Sequence, residues 1–221
     1  MGVLLMLMTI GGLLVAAVLF AVALYTGKVW LRNFVCGGIA IWTIFYFTML
    51  FGFSLVSSER ELSLNEPKQF CGFYLDCHMH TAVTDVRKAK TIGNKTAGGE
   101  FYIVTVKVFS DAKAATLGLL TVDAHVVDAV DQKYTRDMDA ETALGPQPEF
   151  DKKISPVESF QKKIVFDLPE NVDEPRLDIR DGYGIDHAIE AVLVDDEDSI
   201  FHNRNYFKLE TRIETAVAPA L

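Results

Sequence analysis

Apolar and polar positions divide this chain into two regimes. Residues 3–25 and 34–56 form two nearly unbroken apolar runs, separated by a short stretch holding Lys28 and Arg32. Each run exceeds the roughly 20 apolar residues that a helix needs to cross a bilayer core. Beyond Ser58 the pattern changes to short alternating segments, as expected of strands with one face in a core. The pattern predicts a transmembrane helical hairpin over residues 1–58, a polar linker over 59–70 and one strand-rich domain over 71–215, followed by a tail at 216–221.

Within the domain, Phe73, Leu75, Cys77 and Met79 alternate with Tyr74, Asp76, His78 and His80, and the alternation continues loosely to Val86. Residues 87–99 are basic and glycine-bearing and read as a hairpin connection. Glu100–Phe109 is the clearest strand. Tyr102, Val104, Val106 and Val108 point one way and Phe101, Ile103, Thr105 and Lys107 the other, so both faces are largely apolar and a central place in a sheet is expected. Residues 116–130 predict a strand pair or one long bent strand, and 135–150 a loop with one short helix. Residues 160–168, 177–179 and 205–213 predict further strands, while 187–193 fits helix or strand equally. Many short strands without strand–helix alternation imply an antiparallel sandwich, making the whole an α+β membrane protein.

Charge orients the hairpin. No acidic residue occurs before Glu59, and Lys28 and Arg32 are the sole basic ones there. Positive residues in short loops stay cytoplasmic, so the Gly27–Asn33 turn faces inward and both termini face outward. A cleaved signal sequence is the competing reading, since Ala21-Val22-Ala23 resembles a cleavage site. Against it, the first residues carry no basic side chain and the run is long for a signal. Tyr25, Trp30, Trp42 and Tyr46 are candidates for interfacial anchors, although Trp42 and Tyr46 fall deeper in the second span. Gly11-Gly12 and Gly37-Gly38 offer small surfaces for close helix approach, with ordinary membrane-helix glycine the favoured reading. The absence of charge inside both runs argues for an anchor and against a transporter.

All 30 acidic residues and all but two of the 21 basic ones follow Ser58, which gives that part a formal charge of −11. This excludes nucleic acid as an expected partner and favours a basic protein face. Cys71 and Cys77 are placed to pair in an oxidising compartment, while Cys36 lies in the second span. Cys77, His78, Met79 and His80 also carry the ligand types that copper prefers. In a strand, however, Cys77 and Met79 face away from His78 and His80, so the four converge only across a bend. A c-type haem is excluded, because Cys-x2-Cys-His is absent.

His125, His187 and His202 are scattered. Asp195–Asp198 lacks the spacing of a calcium loop and reads as a solvated turn. Ser159 and Ser199 lack a base, and Gly182-Tyr183-Gly184 is too short to cradle a phosphate. No catalytic constellation and no cofactor site emerge.

The run Gly99-Glu-Phe-Tyr-Ile-Val-Thr-Val-Lys-Val108, then Val126-Val-Asp-Ala129 with Tyr134, then Phe160-Gln-Lys-Lys-Ile-Val-Phe-Asp-Leu-Pro169 and Pro175-Arg-Leu177 resemble the DUF4352-type immunoglobulin-like domains of bacterial membrane-anchored and lipid-modified proteins. The resemblance covers about half of the chain. It implies an extracytoplasmic β-sandwich used for adhesion or assembly, with no catalytic residues to carry over. The two-span anchor and the Cys71–His80 stretch depart from that pattern. A hairpin followed by a sandwich is also similar to the architecture of cytochrome oxidase subunit II. That subunit's compact copper loop, late in its domain, has no counterpart here.

The expectation is a non-catalytic accessory subunit of the bacterial inner membrane. Its domain would dock on a larger membrane complex, respiratory or photosynthetic, and its hairpin would contact lipid through residues 3–25 and 34–56. The alternative is a copper-binding or electron-transfer domain.

Overall fold

The computed structural model describes residues 2–72 and 76–210. The chain divides into two compact units, residues 1–59 with 184–204, and residues 60–183 with 205–221.

The first unit is built on two helices, α1 (Gly2–Thr26) and α2 (Val29–Val56), each long and apolar enough to cross a membrane. The turn between them is tighter than the expected 27–33. Only Gly27 and Lys28 lie outside helix, so Trp30, Arg32 and Asn33 sit in the first turn or so of α2. Gly27 takes φ +67°, and the amide of Lys28 donates to Ala23 O while that of Gly27 donates to Leu24 O. This is the Schellman arrangement, which satisfies the last carbonyls of α1 and needs a residue free to adopt the left-handed region. Between the helices the Trp42 indole donates to Thr9 Oγ1 at 3.0 Å and sets their register. Trp42 and Tyr46, expected as interfacial anchors, are thus engaged within the chain, because the Tyr46 hydroxyl also donates to a backbone carbonyl, Val192 O. The paired glycines do not bring the helices close. A Cβ placed on Gly11, Gly12, Gly37 or Gly38 would meet nothing within 4 Å.

Residues 184–204 complete this unit. They begin with α4 (Gly184–Glu190) and continue as tight turns to Arg204. The segment expected to be helix or strand is therefore helix to Glu190. It belongs with the hairpin and not with the strand domain that was expected to run unbroken from 71 to 215.

Among the described residues, the second unit holds nine strands in two sheets. Strands β1 (Arg60–Leu62), β9 (Asn205–Lys208), β8 (Arg176–Asp181), β5 (Val122–Val127) and β6 (Lys133–Thr135) form one sheet in that order. Strands β2 (Lys68–Gly72), β3 (Asp76–Ile92), β4 (Lys95–Ser110) and β7 (Ser159–Leu168) form the other. Every pairing is antiparallel except that of β1 with β9. The expected antiparallel sandwich holds but for that one edge.

Strand β4 is central, as its two apolar faces predict. Tyr102, Val104, Val106 and Val108 join the main core with Ile164, Phe166, Leu177, Ile179 and Phe207. On the outer face Phe101 meets Ile92, Val165 and Ala140 of the short helix α3 (Met138–Ala143), which falls in the expected 135–150 loop.

Three expectations give way. Residues 59–70 are not a free linker, since β1 and β2 both enter the sheets and Leu62 and Phe70 enter the core. Their alternation is too short to register as strand. Residues 87–99 are not a loop, because β3 and β4 form one long hairpin closed by Gly93-Asn94, with Gly93 at φ +59° as a two-residue hairpin turn requires. The basic residues there stay extended by pairing sideways, Lys88 with Glu100 and Lys90 with Glu170. Residues 116–130 supply a single strand, β5, and one isolated bridge between Leu117 and Ile154. Phe73, Tyr74 and Leu75, residues 211–213 of the expected final strand, and the 216–221 tail lie outside the described residues.

Candidate functional site

The most chemically varied stretch of the sequence folds as the start of β3, beside β2. Cys71 and Cys77 are joined in a disulfide. The bridge ties β2 to β3 across the six-residue separation and takes the Cys77 thiolate out of any ligand set.

Strand alternation then separates the rest. Met79 turns inward and is buried in the core, opposite Phe70. His78 and His80 turn the other way, and both imidazoles reach Asp111 just beyond the end of β4. His78 Nδ1 lies 2.7 Å and His80 Nε2 3.4 Å from the same oxygen, Oδ1. His80 also stacks on Phe109, its cross-strand partner, with ring centroids 5.0 Å apart. The hydrogen bond with His78, helped by the nearby His80 imidazole, holds the Asp111 carboxyl below the usual carboxylate range. The four residues of the copper reading are therefore not brought together. Two of them converge instead on an acid that sequence inspection missed, 33 residues along the chain from His78. Only the β3–β4 register connects them.

A second cluster lies buried between the sheets. Lys68 Nζ is 3.6 Å from Asp178 Oδ1 and donates to Asn205 O at 3.3 Å. The Lys68 and Asp178 side chains are 2 % and 0 % exposed. His125 Nε2 lies 3.7 Å from Asp178 Oδ2. This group joins β2 of one sheet to β8, β5 and β9 of the other. A charge pair so enclosed is seldom a net source of stability, but removing one partner strands the other. Sequence reading placed Lys68 in a polar linker, where its neighbours gave no sign of a core position.

The third cluster is in the hairpin unit. Ligand atoms of His187, Glu190 and Asp198 lie within 4.8 Å of one another, an arrangement that could hold a metal ion. Each has a protein partner already: His187 Nδ1 is 2.9 Å from Glu190 Oε2, and Arg204 Nε is 3.3 Å from Asp198 Oδ1. The Asp195–Asp198 turn is only partly the solvated turn expected, since Asp195 is exposed but Asp196, Glu197 and Asp198 are half-buried. Burial, reinforced by Glu190, Asp198 and Glu197 nearby, raises the Asp196 carboxyl to about 6. Ser199 is buried against Ser54. His202 bonds the carbonyl of the next residue, Asn203.

No group of base, nucleophile and oxyanion donors converges among the described residues. What the geometry defines is a disulfide-bearing two-sheet domain, carried on a chain that opens with two apolar helices. The chain belongs to the DUF4352 family, a domain of unknown function, whose family model matches residues 76–189. No curated protein matches it significantly. Among solved structures it is similar to the secreted protein MPT63 of Mycobacterium tuberculosis at 12 % identity and a TM-score of 0.41, covering 69 % of this chain and 97 % of that one. It is also similar to the yjhA protein of Bacillus subtilis (14 % identity, TM-score 0.41, 67 % and 98 % covered). A conserved hypothetical protein of Bacillus anthracis is a further match (15 %, 0.40, 51 % and 86 %).

Proposed function

We propose that this protein is a non-catalytic, membrane-anchored assembly module of the bacterial cytoplasmic membrane. Its hairpin crosses the bilayer twice, and its sandwich stands on the extracytoplasmic side. There the domain docks on a larger membrane protein complex, of the respiratory or photosynthetic kind. The observation that carries the reading is a pair of long apolar helices whose two charges, Lys28 and Arg32, lie at the Gly27-Lys28 turn, joined to a domain with a Cys71–Cys77 bridge. Positive residues in a short turn favour the cytoplasm, and a disulfide favours the opposite side. The strong negative charge of the chain after Ser58 suits a basic protein face and repels anionic polymers.

The test is recovery of the full chain from membranes in mild detergent after brief crosslinking. A stable, stoichiometric set of integral membrane partners is expected. Recovery as a single uncomplexed species under every mild condition would overturn the docking reading.

A second reading, metal binding at the start of β3, has one favouring observation, the convergence of His78 and His80 on Asp111. Two imidazoles and a carboxylate suit copper or zinc. Calorimetric titration of the purified chain with each ion, alongside His78→Ala and His80→Ala, tests it. Equal heats from all three proteins would remove it.

A further inference from the structure

Residues 184–204 pack on the hairpin through a run of specific contacts. The Tyr46 hydroxyl donates to Val192 O at 2.6 Å, and Ser54 Oγ lies 3.4 Å from Ser199 Oγ. The ring of Phe51 meets that of Phe201 with centroids 6.0 Å apart. Asn203 donates through its amide to Ser57 Oγ and through its side chain to Ser57 O. The backbone of Gly2 approaches Val194 so closely that a Cβ there would lie 2.4 Å from Val194 O. The segment thus follows α2 from Tyr46 to Ser57, beside the start of α1.

Length places part of this contact below the membrane surface. Helix α2 has 28 residues, about 42 Å at 1.5 Å per residue, against a hydrocarbon core of about 30 Å. The stretch from Tyr46 to Ser57 occupies about 16 Å of that axis. Even with the whole overhang of about 12 Å on the outer side, the Tyr46–Val192 contact lies at the depth of the acyl chains.

The surface chemistry agrees. Val192, Ile200 and Phe201 are 45 %, 46 % and 68 % exposed, as bare as Leu4, Phe53 and Leu55 of the two apolar helices. Backbone polar groups of the segment are largely met internally: Leu193 N to Glu190 O, Ile200 N to Ala191 O and His202 N to Ser199 O. Non-helical backbone near lipid is tolerated under that condition. Phe201 holds φ +65°, a conformation that a bulky residue adopts rarely and only when its surroundings impose it. The acidic turn at 195–198 limits depth, since its carboxylates favour the headgroup level.

We propose that residues 184–204 are a second membrane-contacting element, which places Val192, Ile200 and Phe201 in the outer-leaflet acyl boundary against α2. This rests on the reading of the hairpin as membrane-spanning. A strand connection of the sandwich family would then serve here as an interfacial wedge, fixed to the anchor by Tyr46, Ser54 and Ser57.

The experiment is site-directed spin labelling of the full chain in phosphatidylcholine nanodiscs. Cys36 is replaced by Ser, and Cys71 and Cys77 stay bridged, so a single introduced cysteine carries each label. Labels at Val192, Ile200 and Phe201 are compared with Leu14 in the middle of α1 and with Val157, 82 % exposed on the other unit. The readout is the ratio of oxygen to nickel-chelate accessibility. At all three positions it should exceed the Val157 ratio by about threefold or more, approaching that at Leu14. Chelate-accessible labels at all three, with Leu14 oxygen-accessible, would overturn the wedge while leaving the hairpin reading intact. A chelate-accessible Leu14 would overturn the hairpin reading itself, and the wedge with it.

Discussion

Gly99 occupies a point where β4 and β7 leave no room for a side chain. A Cβ there would lie 2.0 Å from Leu168 O, and the neighbouring backbone is held by Asp167, whose carboxylate accepts from the amides of both Gly98 and Gly99. Backbone cannot yield as a flexible side chain would, so Gly99→Ala should cost about 1–3 kcal/mol of stability. Denaturant unfolding of the full chain in detergent checks this. The same change at Gly12, where an added Cβ meets nothing, should leave the midpoint unmoved.

Asp196 makes a prediction about pH. Its folded-state value of about 6 lies above the ordinary value of 3.8, chiefly because burial penalises the carboxylate. The folded protein therefore binds this proton more tightly than the unfolded chain does. The stabilising contribution is complete below about 3.8 and is lost as pH rises through 6. Asp196→Asn keeps the acceptor that meets Asp198 N and removes the charge that Glu190, Asp198 and Glu197 oppose. Above pH 6 it should stabilise the hairpin unit by about 1 kcal/mol, after allowance for partial exposure. Near pH 4 it should have little effect, as thermal melts at the two pH values will read.

Helix α3 is tied to β7 through a buried acid. Glu141 accepts a two-pronged contact from Arg136, at 2.8 and 2.6 Å, and a further bond from Val165 N of β7. Glu141→Ala leaves Arg136, only 15 % exposed, and a strand amide without this acceptor. A loss of about 3 kcal/mol is expected, with hydrogen exchange at Val165 rising first. The element scale is also where the sequence was most and least legible. The two apolar runs, the central place of β4 and strand β7 follow from residue periodicity, because burial on one or both faces writes itself into the alternation. The Gly93-Asn94 turn was hidden by the lysines around it, which mimic a loop yet pair with Glu100 and Glu170 across the sheet. Lys68 was hidden for the opposite reason. A buried lysine has no periodic signature, and its partner Asp178 lies on the other sheet. For the site, His78 and His80 were visible, but Asp111 was not, since its place depends on strand register. Residues 184–204 were read as part of the sandwich because nothing in their local pattern tells which unit they pack on.

At the scale of the whole molecule, the reading turns on which side of a membrane each part occupies, and two side chains carry that choice. Lys28 and Arg32 are the sole charges in the hairpin region before Glu59, placed one on the turn and one in the first turn of α2. With no acidic residue there to oppose them, they bias the proposed hairpin toward an orientation with its turn in the cytoplasm. Replacing both by Gln should leave the two apolar helices able to insert but without a preferred direction. A reporter fused after Leu221, active only outside the cytoplasm, should fall to about half its signal as the two orientations mix. Adding two lysines before Gly2 in the same variant should invert the hairpin and abolish the signal. Chains inserted in that sense would hold Cys71 and Cys77 in a reducing compartment, so the bridge should be lost in step with the reporter. A cleaved signal sequence predicts otherwise, because removal of α1 would shorten the mature chain. Intact mass of the membrane-bound protein separates the two cases before any variant is made.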